Sequence, residues 1–221
     1  MTPRLLDLFC GAGGAAMGYH RAGFTVVGVD IAPQPNYPFE FIQADAMTYP
    51  LDGFEAIHAS PPCQKHVKGM AAVNEALGRR LDHIDLVTPT RPRLQANGVP
   101  YVIENVVGAP LINPIVLCGS SFGLAVRRHR LFESNAPMMA QPCAHHLQSE
   151  RRYWTSWRPG GEERRAKVVQ VYGAAGEQHL WPEAMGIDWM TGAELRQSIP
   201  PAYTEHIGGY LMASVTARAA A

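Results

Sequence analysis

No apolar run in this 221-residue chain approaches the ~20 residues that cross a bilayer, so no membrane partner is expected. The N-terminus has neither a basic leader nor a small-residue cleavage site, which reads as a protein that stays in the cytoplasm. Net charge is missing too. Nineteen Lys and Arg balance 19 Asp and Glu, so global charge does not announce a polyanion partner, and any such contact must come from local clusters. Cys10, Cys63, Cys118 and Cys143 form no C-x-x-C pair, which leaves no signal for a redox motif or a zinc ribbon, and in a reducing compartment they are thiols. There is no internal repeat and no low-complexity tract beyond the terminal alanines. What remains is an ordinary globular composition, 47% hydrophobic and 17% charged, long enough for one large domain and too short for two.

The hydrophobic patterning predicts alternating strands and helices. Arg4 to Phe9 reads as a strand, Cys10-Gly11-Ala12-Gly13-Gly14 as a glycine turn, Ala15 to Ala22 as a helix, and Phe24 to Asp30 as a second strand ending in a carboxylate. This is the arrangement by which α/β folds hold an adenosine group: glycines allow close approach and the acid accepts from ribose hydroxyls. A tight turn with no ligand fits the same residues. Phe39 to Gln43 is a third strand followed by Asp45, and Tyr101-Val102-Ile103 leads into Glu104. Helical stretches between Asn74 and Gln95 are expected to break at Pro89 and Pro92. Ile115-Val116-Leu117 and Arg130-Leu131-Phe132 suit a closing hairpin-like pair. Ser134 to Met190 reads as irregular, with one strand at Lys167 to Tyr172. Thr191 and Glu194 form a capping box for a helix that Pro200-Pro201 ends, and a final helix runs from about Thr204 to Ala217. The expected fold class is α/β, a doubly wound and mostly parallel sheet with functional groups along one edge.

Ser60-Pro61-Pro62-Cys63-Gln64 is the centre of that edge. It follows the short apolar run Ala56-Ile57-His58-Ala59, and the two prolines stiffen the turn and aim the thiol into the crevice beyond the strand ends. A nucleophile is presented in this way. An inert buried cysteine after a proline turn is the alternative that the stretch alone leaves open.

Taken in order, these motifs resemble the cytosine-C5 DNA methyltransferase family, especially its compact forms encoded by bacteriophages. Asp7 to Gly14 looks like the family's S-adenosylmethionine (SAM) loop, with Phe9, Gly11, Ala12, Gly13 and Gly14 as cofactor-binding positions. Asp30-Ile31 and Asp45-Ala46 are similar to the motifs that contact ribose and adenine. Pro62-Cys63-Gln64 matches the catalytic Pro-Cys-Gln, in which Pro62 faces the cofactor and Gln64 the DNA. Glu104-Asn105-Val106 matches the motif that holds the target base, Arg128-His129-Arg130 the Arg-x-Arg motif, and Leu195 to Tyr203 the late motif. Two positions depart from the pattern. Val126 stands where the family has glutamine, and Gly208-Gly209-Tyr210 where it usually has Gly-Asn-Ser.

The resemblance implies a Rossmann-like SAM-dependent methyltransferase with residues 1–134 as cofactor and catalytic domain, 135–190 as a short target-recognition segment, and 191–221 as helices completing the domain. Cys63, Glu104, Arg128 and Arg130 would be catalytic, and DNA carrying an extruded cytosine the partner of a monomeric enzyme. Lys65, His66 and Lys68 follow the nucleophile and suit phosphate contacts. Arg151, Arg152, Arg164 and Arg165, interleaved with Tyr153, Trp154 and Trp157, suit phosphate contact and base stacking. Restriction-modification or evasion of a host's restriction is the biology this suggests, in the host cytoplasm if a bacteriophage encodes it. RNA cytosine as substrate, a modified SAM-derived donor suggested by Gly209-Tyr210, and a catalytically idle binding module are the rival readings. Cys143-Ala144-His145-His146 holds metal-ligating types that could join Cys118, but two-plus-two ligand spacing is absent and no metal is expected.

Overall fold

The computed structural model describes residues 2–63, 66, 84–148, 168–172 and 177–220. Its centre is a sheet of seven strands: β1 (Arg4–Leu8), β2 (Thr25–Asp30), β3 (Glu40–Gln43), β4 (Ala56–Ala59), β5 (Tyr101–Asn105), β6 (Ile115–Leu117) and β7 (Arg130–Ser134). Their order is β3-β2-β1-β4-β5-β7-β6. The first five strands are mutually parallel, and β7 runs antiparallel to both of its neighbours. The expected α/β class and the closing β6–β7 pair are both present. Chain order reverses on either side of β1, so a crevice opens between the loops that follow β1 and β4.

Buried runs on the central strands explain the two-layered core. Leu5 and Val26 face the helices α1 (Gly14–Arg21) and α5 (Pro201–Ala219), with Tyr19, Tyr203, Ile207 and Leu211. Leu6, Leu8, Val27, Val29 and Ile57 face the opposite way, against Val87 and Leu94 of α2 (Val87–Asn97). A third cluster joins Ala12 and Val126 to Trp181 and Met185 of α3 (Trp181–Met185) and Leu195 of α4 (Gly192–Gln197).

Several elements differ from expectation, each for a local reason. α2 contains Pro89 in its first turn and runs through Pro92 instead of breaking at either, while residues 74–83 of the expected helical stretch lie outside the described residues. Pro201 opens the last helix at its first turn, where a missing N–H costs nothing, rather than ending the one before it. Val168–Tyr172 form no strand among the described residues; Val169 N–H donates to Ala125 O, and no ladder follows. The segment read as irregular contains α3, whose Trp181 is fully buried.

Helices α1 and α5 touch through glycine. A Cβ on Gly18 would come 2.1 Å from Pro201 O and 2.6 Å from Glu205 N, both backbone atoms. In an exposed helix Gly→Ala would stabilise by about 0.5–1 kcal/mol. Here overlap decides the sign, and Gly18→Ala is expected to destabilise by about 1–3 kcal/mol. Gly209→Ala, where a Cβ meets nothing within 4 Å, should show the opposite sign. Urea unfolding of the two variants checks both.

Candidate active site

The loop after β1 is a sharp reversal. Phe9, Gly11 and Gly13 have φ of 58°, 48° and 86°, and Gly13 caps α1. Asp30 fastens this loop to the end of β2: its Oδ2 accepts from Gly11 N–H at 3.0 Å and its Oδ1 from Ala32 N–H at 2.9 Å. A Cβ on Gly11 would meet nothing within 4 Å, so open ground lies above it. Ile31, next to the acid, is 71% exposed. Asp45 is exposed and caps its own turn through Met47 N–H, while Ala46 is buried beneath it. Ala12 O accepts from Trp189 Nε1 at 2.9 Å, and a Cβ on Gly14 would overlap Ser198 Oγ. The C-terminal segment therefore seats the glycine loop.

Cys63 stands half-buried beyond β4. Asn105 Nδ2, at the end of β5, donates to Pro61 O at 2.9 Å and ties the proline turn to the neighbouring strand. Burial pushes the Cys63 thiol above its usual value, Arg130 pulls it back, Glu104 pushes it up and Arg128 lowers it again. These four expected catalytic residues thus share one electrostatic neighbourhood. Pro62 is exposed, and His66 N–H donates to Cys63 O at 2.9 Å. The His66 ring, expected to contact phosphate, instead meets Asp85 at 3.3 Å.

Glu104 is buried on β5 and lies 3.2 Å from Arg130 Nε. That Oε1 atom has no hydrogen bond of good alignment among the described residues. Burial raises the carboxyl above its ordinary range, against lowering by Arg130, a hydrogen bond from Ser60, and Arg128. The Arg128 guanidinium donates to Val171 O at 3.1 Å and to Arg196 O, while its buried Nε has no partner among the described residues. Burial and then Arg130 depress its pKa, yet it stays cationic at neutral pH. Unsatisfied buried atoms on both Glu104 and Arg128 mark a site with polar capacity to spare.

Sequence reasoning missed the support beneath Glu104. His58, set in an otherwise apolar strand, lies 2.9 Å from Tyr19 Oη through Nδ1 and 2.7 Å from Ser60 Oγ through Nε2. Burial pushes its pKa down to about 3, so the ring is neutral. One proton arrangement satisfies the chain: Tyr19 donates to His58, His58 to Ser60, and Ser60 to Glu104. A lone histidine amid Ala56, Ile57 and Ala59 was the available signal.

Both departures from the family pattern resolve into packing. Val126 is 1% exposed in the cluster with Trp181, an apolar role glutamine could not fill. A Cβ on Gly208 would come 2.5 Å from Ala22 Cβ, at the end of α1 away from the glycine loop, so close packing of α1 and α5 accounts for this glycine. Gln64, Lys65, Lys68, Arg151, Arg152, Arg164 and Arg165 lie outside the described residues.

No protein-family model and no curated protein matches the sequence. Solved structures do match. A protein described as a candidate DNA modification methyltransferase, encoded within prophage Cp of E. coli, aligns over 97% of this chain and 100% of its own, with TM-score 0.57 and 16% identity. The Entamoeba histolytica methyltransferase EhMeth aligns over 96% and 98%, at TM-score 0.58 and 12% identity. The S. pombe Dnmt2 methyltransferase covers the same shares, at TM-score 0.57 and 13% identity. The fold is Rossmann-like, as in these methyltransferases. At such identities the likeness is one of fold alone.

Proposed function

We propose that this chain is a SAM-dependent DNA cytosine-C5 methyltransferase. The observation that carries the reading is the convergence of Cys63, Glu104, Arg128 and Arg130 beside the glycine loop at the strand ends. Methyltransferase-fold neighbours, one a DNA modification methyltransferase encoded in a prophage and one a Dnmt2, support it.

The residues of the loop suit the cofactor. Gly11 leaves room for close approach, Asp30 has lone pairs beyond those its own loop uses, and Ile31 offers an exposed apolar face to a purine ring. Bound there, SAM supplies an electrophilic methyl group. The chain's own groups prepare the acceptor. Cys63 thiolate adds to C6 of an extruded cytosine, and the electron pair moves toward N3 and O2. Glu104, as the acid, gives its proton to N3, while Arg128 faces the charge growing at O2. C5 is then nucleophilic enough to take the methyl group. Loss of the C5 proton to solvent re-forms the C5–C6 double bond and expels Cys63 as thiolate, and the N3 proton returns to Glu104. The segment 135–190 would read the target, with Arg151, Arg152, Arg164 and Arg165 on phosphates and Lys65, Lys68 and Gln64 closing over the flipped base.

Transfer of labelled methyl from SAM to DNA, with RNA assayed in parallel, tests the substrate: label in DNA 5-methylcytosine supports the reading, and label in RNA alone replaces it. Asp30→Ala should weaken SAM binding by about 1–3 kcal/mol, the scale of hydrogen bonds to a charged acceptor. Unchanged calorimetric affinity would remove Asp30 from the ribose role.

A further inference from the structure

We propose that Cys118, His129, Cys143 and His145 hold a structural zinc ion that clamps the segment after β7 onto the arm carrying Arg128 and Arg130. One ligand atom from each of the four lies within 4.8 Å of the others. Cys118 Sγ is 3.2 Å from His145 Nε2, and Cys143 Sγ is 3.4 Å from His129 Nε2. A tetrahedral zinc with two sulfur and two nitrogen ligands separates them by roughly 3.3–3.8 Å, the spacing that follows from ordinary Zn–S and Zn–N bond lengths. Small adjustments therefore suffice. The two imidazole rings meet edge to face, with centroids 5.3 Å apart and planes at 83°, so they converge on one point without stacking.

The ligands come from separate places that the fold brings together. Cys118 follows β6 and is fully buried, and His129 immediately precedes β7. Cys143 and His145 flank Ala144 where the chain enters the short 3-10 turn His145–Leu147. This is why ligand spacing in the sequence failed as a guide: the antiparallel β6–β7 pair, not local periodicity, creates the group. The sequence reading without metal rested on that spacing, which does not see groups assembled by strand pairing.

The scaffold around the group is already built. Ser120 Oγ lies 3.1 Å from Cys118 Sγ and accepts from Ala144 N–H at 3.0 Å. Ser121 Oγ donates to Pro142 O at 2.9 Å and Gln148 Nε2 donates to Leu124 O at 2.8 Å, whereas the Cys118 thiol donates to Arg127 O at 2.8 Å, a bond given up when the sulfur binds zinc as thiolate. A thiol pair with two imidazoles favours zinc over magnesium or calcium, which take oxygen ligands. Four protein ligands leave no position for water, the mark of a structural site. A disulfide between Cys118 and Cys143 would give the two histidines no role.

The consequence for the arm is direct. His129 sits between Arg128 and Arg130, so an ion on its ring fixes the backbone from which both guanidinium groups hang. The inference stands on the ligand geometry alone and not on the methyl-transfer reading.

Protein expressed with added zinc and purified without chelator should carry one zinc per chain by elemental analysis. Cobalt(II) taken up by the metal-free chain should show tetrahedral d–d bands and a thiolate-to-cobalt charge-transfer band. Cys143→Ser and His145→Ala should each cut bound zinc at least tenfold, and His146→Ala, exposed beside the group, should leave it unchanged. Less than a tenth of a zinc per chain together with no charge-transfer band overturns the site. So does full zinc content in soluble Cys143→Ser. The cobalt spectrum is read on the unaltered chain, so the proposal does not depend on the variants folding.

Discussion

With SAM present, the unaltered chain is expected to remain attached to DNA containing 5-fluorocytosine, and Cys63→Ala to leave no attached species and no detectable methyl transfer. Pro61 and Pro62 restrict the backbone, Asn105 Nδ2 fastens Pro61 O to β5, and the half-buried thiol is left facing Arg130, Glu104 and Arg128. Without a nucleophile at C6, C5 of cytosine remains too weak to displace a sulfonium. With one, the intermediate can collapse only by losing the C5 substituent as a cation. A proton leaves readily and fluorine does not, so the covalent state persists. A retarded band in denaturing electrophoresis records it. Methylation by Cys63→Ala at an undiminished rate would falsify the mechanism, whatever became of the trapping experiment.

Most of the site was legible because its residues terminate strands. Phe9, Asp30, Cys63 and Glu104 each follow or end an apolar run bounded by glycine, proline or charge, and in a parallel sheet such ends share one edge. The capping box of Thr191 and Glu194 was equally local, and it is formed. What escaped depends on partners remote in sequence. Pro92 reads as a helix breaker by local rules, yet α2 continues through it with Val87 and Leu94 in the core. Lys167 to Tyr172 has the composition of a strand, and its described residues, Val168 to Tyr172, make no ladder with other described residues. His58 passed as part of an apolar run, since nothing near it in the chain announces Tyr19. The grouping of His129 with Cys118 and Cys143 is likewise set by β6 and β7 pairing, beyond any motif of fixed spacing.

Glu104→Gln should slow adduct formation by about 10²–10⁴-fold, the range for losing a positioned acid. It should also change the shape of the pH profile. Attack needs Cys63 as thiolate and Glu104 as acid, although a carboxyl ordinarily loses its proton well below the pH at which a thiol does. The productive pair is therefore a minority state. Its population rises with pH until Glu104 begins to ionise, stays level because thiolate gained is offset by acid lost, and falls once Cys63 is fully ionised. Burial raises Glu104 and so lifts that plateau; burial also raises Cys63, which lowers it, and Arg130 offsets part of that loss by favouring the thiolate. The hydrogen bond from Ser60, held by His58 and Tyr19, fixes the carboxyl in place. In Glu104→Gln no carboxyl titrates, so the rate should climb about tenfold per pH unit through the former plateau until the thiol's own pKa. Single-turnover rates of adduct formation across neutral pH distinguish the two shapes, and a plateau retained in the glutamine variant would assign the N3 proton to another donor.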